Sequence, residues 1–399
     1  MNLYFIDAFN DHMFSKPLTL RDANYSAKYK YLLMRENWPK SVKDLYMISC
    51  DSINENHFKK WNILNNIQIK SIKQSENKVR INDMYFITGK TLIQNFKKSS
   101  LFRVFIIDLS KRSNLYILIN HFFNIVESIN PILEDIDKSF LICERDPRIC
   151  SKFLKESEIK NLNRLKVIEF PYIPRNDLLN QKEFETRIKK CSIIGNTHEI
   201  ASNHHFRKRT GALYFSSLRG YCRKLFLEKN LDKNFFNYYG GIDSQKYKVK
   251  FLSSNIARVL LKIPIIRGIL FRLVNYLDRS NSKRYYQSFN MSDVLKNHMI
   301  ALCGEEDILQ LPVIGFYEAL ISGCVPLGSL HSFYEKQGLK KSVHYLPFNG
   351  GYKDAIRAVN EGLSSIENLE KISKNGIKYC NQKLNPKNLV KILINSKNN

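Results

Sequence analysis

The sequence Gly315-Phe-Tyr-Glu-Ala-Leu-Ile-Ser-Gly-Cys-Val-Pro-Leu-Gly328 contains three local signals that agree with one another. Residues 318–321 favour a helix, and Gly323 stands where a helix ends in a left-handed residue. The apolar run after it, residues 324–327, is typical of the start of a buried strand. The segment therefore predicts a helix, a tight turn and a strand, as in an α/β fold.

Glu318 is the one acidic side chain of this segment. If the helix starts near Gly315, the carboxylate lies in the first turn, where the positive end of the helix dipole stabilises it. One interpretation is that Glu318 only caps a surface helix, because glutamate is common in first turns. The other is that the carboxylate binds a ligand.

The run from Glu318 to Leu327 resembles the signature of nucleotide-sugar glycosyltransferases of the GT-B fold, in particular the group 1 and exostosin-like branches. Upstream, residues 291–304 resemble the strand and glycine-bearing loop that precede this helix in exostosin-like members. The resemblance covers about residues 285–348. Many members have an arginine just before the glutamate, whereas Phe316 and Tyr317 stand there in this chain. Phosphate contacts made by that arginine would have to come from elsewhere.

The resemblance implies where a nucleotide-sugar donor binds. The matching glutamate holds ribose or sugar hydroxyls, and the neighbouring loop approaches the diphosphate. The implied donor-binding residues are Glu318, Gly304, Gly315, Tyr317, Ser322 and Gly323. The resemblance also implies that no metal ion or other cofactor is needed, and no Asp-x-Asp motif follows a predicted strand.

The chain carries a large positive charge. Its 63 Lys and Arg against 37 Asp and Glu give a formal net charge of +26 over 399 residues. Such a charge attracts nucleic acid, anionic lipid headgroups or phosphorylated substrates. An AT-rich genome is an equally open explanation, because Lys, Asn and Ile are abundant together and Gly is sparse. The cations form no long basic block, so we expect no nucleic-acid partner.

The eight cysteines include no Cys-x-x-Cys pair, so the sequence predicts no zinc site. Several stand in apolar runs, where a reduced cysteine behaves as a small hydrophobe. This usage is typical of a reducing compartment. The first residues lack the features of a signal peptide, and no stretch of about 18 apolar residues predicts a membrane span. We expect a cytoplasmic protein.

Short apolar runs alternate with other segments in the first 170 residues. They predict strands at residues 3–6, 45–49, 84–87, 102–108, 140–143 and 166–170, with helices at residues 115–126 and 149–154. Strands that alternate with helices favour a mostly parallel, doubly wound sheet.

Asp11 and His12 follow the first predicted strand. This position is the carboxyl edge of a parallel sheet, where ligands of open α/β folds bind. An enzyme that inverts the stereochemistry of a sugar needs a base to deprotonate the acceptor hydroxyl, and either side chain is suitable. The competing interpretation is that both residues only form a turn and cap the next helix.

Two prolines in residues 171–174 interrupt the alternating pattern, because proline favours extended backbone. We therefore predict an N-terminal acceptor-side α/β domain at 1–170 and a linker at 171–188. A C-terminal nucleotide-sugar-binding α/β domain follows at 189–380, and a tail at 381–399 is long enough to pack on the first domain. With 44% hydrophobic residues, the chain is sufficient for two cores.

The second predicted domain opens with a strand and a glycine loop that contains Gly195 and Asn196. Arg207 and Arg209 then precede a predicted helix. Backbone donors and cationic side chains in this order can form a diphosphate cradle, and GT-B enzymes are similar in this part of the fold. A solvated basic face explains the same residues equally well.

Residues 259–277 are strongly apolar but contain Lys262, Arg267 and Arg272, and Pro264 interrupts them. The segment is too charged to span a bilayer, yet it suits an interfacial helix with snorkelling cations. The competing interpretation is a buried helix, or one that packs against a partner. The segment leaves open a peripheral contact with an anionic membrane at its inner face.

The sequence thus predicts an α/β fold with two doubly wound Rossmann-like domains facing a cleft, as in GT-B enzymes. The predicted enzyme is a glycosyltransferase that moves a sugar from a nucleotide-sugar donor to a hydroxyl of a glycan or lipid-linked acceptor, in surface polysaccharide or lipopolysaccharide synthesis. Two other classes stay open. One is a basic protein that binds nucleic acid or an anionic membrane without transferase activity, and the other is a membrane-bound scaffold that has lost activity.

Overall fold

The computed structural model describes residues 1–7, 30–49, 68–72, 80–112, 114–119, 126–137, 139–143, 165–169, 178–179, 181–195, 217–240, 290–303, 312 and 314–396. These residues form two compact units. Unit 1 holds the described residues of Met1–Arg175 and Gln382–Asn399, and unit 2 holds those of Asn176–Arg207 and Gly211–Asn381.

The α-helices of both units are numbered in chain order. They are α1 (Gly89–Phe96), α2 (Ser100–Arg112), α3 (Val126–Asp135), α4 (Ser217–Leu227), α5 (Met291–Asn297), α6 (Ile314–Ile321), α7 (Ser332–Lys336), α8 (Tyr352–Ser364), α9 (Ile366–Lys383) and α10 (Pro386–Ser396). Short 3-10 helices occur at Lys30–Leu33, Arg35–Asn37 and Phe184–Thr186.

Unit 1 is built on a seven-stranded parallel sheet. Its strands are β1 (Leu3–Asp7), β2 (Leu45–Ser49), β3 (Gln68–Ser71), β4 (Met84–Thr88), β5 (Asn114–Ile119), β6 (Ser139–Cys143) and β7 (Leu165–Glu169). They lie in the order β3-β2-β1-β4-β5-β6-β7, and every pairing is parallel. The order reverses between β1 and β4, which makes the sheet doubly wound.

One face of this sheet carries a row of stacked aromatic rings. Phe86 stacks on Phe5 at 5.3 Å and on Tyr116 at 5.0 Å between ring centroids. Leu389 and Leu393 of α10 are fully buried in the same core, and the hydroxyl of Tyr116 donates to the carbonyl oxygen of Leu393 at 3.3 Å. The C-terminal helix therefore completes the core of unit 1.

Unit 2 is built on a five-stranded parallel sheet. Its strands are β8 (Ile188–Gly195), β9 (Phe236–Gly240), β10 (His298–Leu302), β11 (Val325–Ser329) and β12 (Leu346–Phe348). They lie in the order β12-β11-β10-β8-β9, with parallel pairing throughout. This is the flavodoxin-like doubly wound order, which reverses between β8 and β10.

The predicted fold class is confirmed, because both units are doubly wound parallel α/β sheets. The predicted helix, turn and strand at 315–328 are also present as α6, Gly323 with φ +73° and β11. The position of Glu318 differs from the expectation. Since α6 begins at Ile314, Glu318 is past its first turn, and the helix dipole stabilises mainly the first turn. The predicted cleft stays a prediction.

Two predicted elements of unit 1 are wrong. Residues 102–108, predicted as a strand, lie in α2, where the buried side chains recur at helical spacing. They are Phe102, Phe105, Ile106 and Leu109. The predicted helix 115–126 contains β5 instead, with residues 115–119 all buried. A continuously buried apolar run is compatible with a central parallel strand. The predicted helix 149–154 lies outside the described residues.

The helices of the described part of the chain include none that is both long and apolar enough to cross a bilayer. The apolar segment 259–277 lies outside the described residues.

Candidate functional site

The carboxyl edge of the unit 2 sheet is the place where its topology favours a ligand. The order of strands reverses between β8 and β10, and ligands of open α/β sheets bind outside the carboxyl ends of the strands at such a point. Gly195 ends β8 opposite Gly240 of β9, and Cys303 directly follows β10.

Helix α6 starts against the end of β10. A Cβ atom on Gly315 would lie 3.3 Å from Cβ of Cys303, which is tighter than ordinary side-chain contacts. Glycine at this position therefore lets the helix begin close to the strand end. One turn later comes Glu318, whose side chain is only 3% exposed. Glutamate is almost never buried to this extent unless its charge is paired.

Arg219 brings a positive charge to the same edge. It lies in the first turn of α4 and is 8% exposed. Its Nη1 donates to the carbonyl oxygen of Ile194, near the end of β8, at 3.4 Å. Arg219 was not predicted from the sequence, because an arginine inside an amphipathic helix gives no signal that separates it from a surface cation.

Besides burial, the charges of Arg219 and Glu318 both affect the pKa of the Cys303 thiol. Burial is the main cause that raises its pKa well above the usual value, and Cys324 raises it further. The charge of Arg219 lowers the pKa of Cys303, and the charge of Glu318 raises it. A guanidinium and a carboxyl group therefore lie within electrostatic range of the same sulfur. A guanidinium binds phosphate oxygens and a carboxylate accepts hydrogen bonds from hydroxyls.

The structure brings three of the predicted site residues to this edge, namely Gly195, Gly315 and Glu318. Tyr317 is buried, with its ring at 5.9 Å and nearly perpendicular to that of Phe316. The predicted residues Asp11, His12, Asn196, Arg207, Arg209 and Gly304 lie outside the described residues.

Ser322 and Gly323 lie at the other end of α6, at the amino edge of the sheet. The hydroxyl of Ser322 donates to Ala319 at 2.8 Å within the helix end. The carbonyl oxygen of Ser322 accepts from Nη2 of Arg187 at 3.0 Å, and that of Gly323 accepts from the hydroxyl of Ser373 at 2.7 Å. The structure therefore shows these two residues ending the helix and does not bring them to the carboxyl edge.

Among the described residues, no three His, Cys, Asp or Glu side chains are grouped as ligands for a metal ion.

Comparison with known proteins gives a structural match. No protein-family model matches the sequence, and no curated protein matches it either. HepE of Anabaena, crystallised with UDP, aligns over 99% of both chains at 9% identity, with a TM-score of 0.53. The chain has the GT-B fold.

Other solved structures give lower scores. Sucrose-phosphate synthase of Thermosynechococcus elongatus aligns over 99% of this chain and 98% of its own at 10% identity, with a TM-score of 0.47. A glycosyltransferase of Rickettsia africae ESF-5 aligns over 99% of this chain and 97% of its own at 9% identity, with a TM-score of 0.46. At 9% identity the likeness to HepE concerns the fold alone, and the exostosin-like branch stays a prediction.

Proposed function

We propose that this GT-B chain is a glycosyltransferase that moves a sugar from a nucleotide-sugar donor to a hydroxyl of a glycan or lipid-linked acceptor. The observation that carries the proposal is the pair Glu318 and Arg219, both buried at the carboxyl edge of the unit 2 sheet where the strand order reverses. The setting is the cytoplasmic face of a membrane, with peripheral contact, in surface polysaccharide or lipopolysaccharide synthesis.

The donor binds at this edge in our proposal. The carboxylate of Glu318 accepts hydrogen bonds from hydroxyls of the donor's ribose or sugar. Arg219 pairs with the diphosphate, and the first turn of α6, which begins at Ile314, presents backbone N–H groups to the phosphates. HepE was crystallised with UDP, so uridine is the first base to test.

The reaction breaks the bond between the anomeric carbon and the donor phosphate oxygen. The acceptor oxygen forms the new bond to the anomeric carbon, and the nucleoside diphosphate leaves with the electron pair. Arg219 offsets the negative charge that grows on the leaving diphosphate, the step at which a positioned cation is most effective. Asp11 or His12 accepts the proton of the acceptor hydroxyl, and Gly304, Asn196, Arg207 and Arg209 stay proposed donor contacts.

Thermal unfolding in the presence of UDP, GDP, CMP and dTDP tests the donor site. A ligand that binds only the folded state raises the apparent stability by RT ln(1 + [L]/Kd). We expect one nucleotide to raise the Tm of the wild type, and we expect this shift to be lost in Glu318→Gln and Arg219→Met.

Glu367→Gln is the matched control, because Glu367 is an exposed glutamate of the same unit. It should keep the full shift. Two results would count against the donor site. One is that no nucleotide changes the Tm, and the other is that a nucleotide raises the Tm of the wild type and of Glu318→Gln equally.

A further inference from the structure

Unit 1 has an open cleft far in sequence from the donor site. It has a volume of about 520 Å³ and lies between the C-terminal ends of α1 and α3 and the start of α2. Phe96, Pro131 and Ile132 give it apolar walls, and its polar lining consists of Lys97, Ser100 and the ion pair of Arg103 with Asp135. No part of the proposed transferase mechanism uses this surface.

The helix beside the cleft exposes apolar side chains to solvent. Val104 is 63% exposed and Leu101 is 38% exposed. The two residues are three apart on α2, and Val104 follows the cleft residue Ser100 by four, so they share one face of the helix. The opposite face of α2 is packed in the core of unit 1. Leu101 and Val104 therefore add apolar surface on the outer side of the helix, next to Asp108, which pairs with Arg112 at 2.7 Å.

Two lysines precede these apolar residues in the chain. Lys97 and Lys98 are exposed in the turn between α1 and α2, and neither forms an ion pair with any described residue. Arg103 is different, because Asp135 offsets its charge at 2.8 Å. We name Lys97, Lys98, Leu101, Val104 and the adjoining cleft the α1–α2 surface. Its net charge is positive.

We infer that the α1–α2 surface docks on an anionic lipid bilayer. Exposed aliphatic side chains next to lysines are the combination that binds the interface of such a bilayer, with the aliphatic groups among the headgroups and the cations at the phosphates. The net charge of +26 attracts the whole chain to an anionic surface. Leu101 and Val104 then decide which face makes contact.

Charge and chemistry favour a bilayer over two other occupants. A nucleic acid would use the lysines but would leave Leu101 and Val104 in contact with water and phosphate. A second copy of the chain, docked face to face, would bring Lys97 and Lys98 against the same lysines, which costs free energy. The inference names the surface that makes the peripheral membrane contact of the proposed function. It does not rest on the proposed reaction, since its readout is binding to vesicles.

Co-sedimentation with phosphatidylcholine vesicles, with and without phosphatidylglycerol, tests the inference. Each lysine near an anionic surface raises the affinity for the membrane about fivefold, so the loss of two lysines should lower that affinity roughly 25-fold. We expect Lys97→Glu/Lys98→Glu to bind the anionic vesicles at least that much more weakly than the wild type.

Unit 2 offers a matched control. Lys340 and Lys341 are adjacent exposed lysines, and Val343 beside them is 38% exposed. Lys340→Glu/Lys341→Glu makes the same change in net charge and should retain binding within about twofold, because the inference places the lysines that contact the bilayer at the α1–α2 surface. Equal losses in the two double variants would show diffuse attraction and overturn the inference.

The apolar contribution is measured separately with Val104→Ser and Val343→Ser. Burying a valine side chain contributes on the order of tenfold to partition, so Val104→Ser should bind anionic vesicles about tenfold more weakly and Val343→Ser should match the wild type. Unchanged binding of Val104→Ser, no binding of the wild type, or a Lys97- and Lys98-dependent preference for single-stranded DNA over vesicles would each overturn the inference. Circular dichroism and Tm confirm that every variant is folded.

Discussion

The guanidinium of Arg187 and the carbonyl oxygen of Ser322 are joined by a hydrogen bond of 3.0 Å, although 135 positions separate the residues in the sequence. Arg187 immediately precedes β8, and Ser322 immediately follows α6. Arg187 is 5% exposed, and burial lowers its pKa from the usual value. The segment before β8 therefore fixes the end of the helix that carries Glu318.

Loss of this hydrogen bond should destabilise unit 2. Nη2 of Arg187 donates to both Lys182 and Ser322, and hydrogen bonds from a charged group contribute about 1.5–3 kcal/mol. Arg187→Met should lower the free energy of unfolding by about 2 kcal/mol in urea titrations. Gln181→Met removes a neutral hydrogen bond to Ile321 in the same helix end and should cost only about 1 kcal/mol. Equal costs would show that the charge is unimportant.

Replacing Gly323 by alanine should destabilise the protein more than replacing Gly338 by alanine. Both have positive φ, +73° and +80°, which costs an alanine about 1–2 kcal/mol. A Cβ on Gly323 would also lie 2.9 Å from Nη2 of Arg187, whereas one on Gly338 would meet nothing nearer than Tyr379 at 3.8 Å. Gly323→Ala should therefore lower stability by about 1–3 kcal/mol more than Gly338→Ala. Equal thermal shifts would contradict the close approach of Arg187.

The C-terminal helix should be essential for the core of unit 1. Leu389 is fully buried, whereas Ile392 of the same helix is 44% exposed. Leu389→Ala should destabilise the unit by about 2–5 kcal/mol, and Ile392→Ala by less than about 1 kcal/mol. Trp38, in the same core, provides a fluorescence signal for urea unfolding. Similar midpoints for both variants would contradict the packing of α10.

His298 should make stability depend on pH. Burial is the main cause that lowers its pKa from 6.5, a hydrogen bond to Val294 raises it, and Lys190 lowers it. Its Nδ1 donates to Val294 at 2.8 Å, and Nε2 accepts from Asn237 at 3.0 Å. Because the unfolded chain binds the proton more readily, the contribution is fully present above pH 6.5. It is lost as pH falls from there through the folded pKa.

Thermal unfolding of the wild type and of His298→Gln between about pH 7.5 and 5.5 checks this sign. The variant should be less stable at the upper pH, and its Tm should fall less on acidification. A fall of the same size in both proteins would assign the pH dependence to other groups.

The fold could be predicted best where neighbouring residues favour a single local structure. The run from Ala319 to Leu327 combines a helix former, a glycine that tolerates positive φ and a short apolar strand, and all three elements are present. The prediction was wrong at residues 102–108. The run there is strongly apolar, and its helical spacing is clearest when Leu109 is included. Strand β3 was not predicted, since Gln68–Ser71 is a polar edge strand without an apolar run.

The candidate site could be predicted only in part. Glu318 was identified because its motif is local in the sequence. Arg219 was not, because its importance depends on the parallel pairing of β8 with β10, which brings the first turn of α4 to the same edge as α6. The opposite placement of Ser322 and Gly323 follows from the length of α6, which carries them from the carboxyl edge to the amino edge.

Calorimetric titration with UDP tests the central claim, that the edge carrying Glu318 and Arg219 binds a nucleoside diphosphate. We predict saturable binding at one site per chain. Glu318→Gln and Arg219→Met should each weaken it by about tenfold or more, because each removes a charged hydrogen-bonding group, while Glu367→Gln binds as the wild type does. Equal affinity in the wild type and the two site variants, or no binding of UDP or of any other nucleoside diphosphate, would contradict the account.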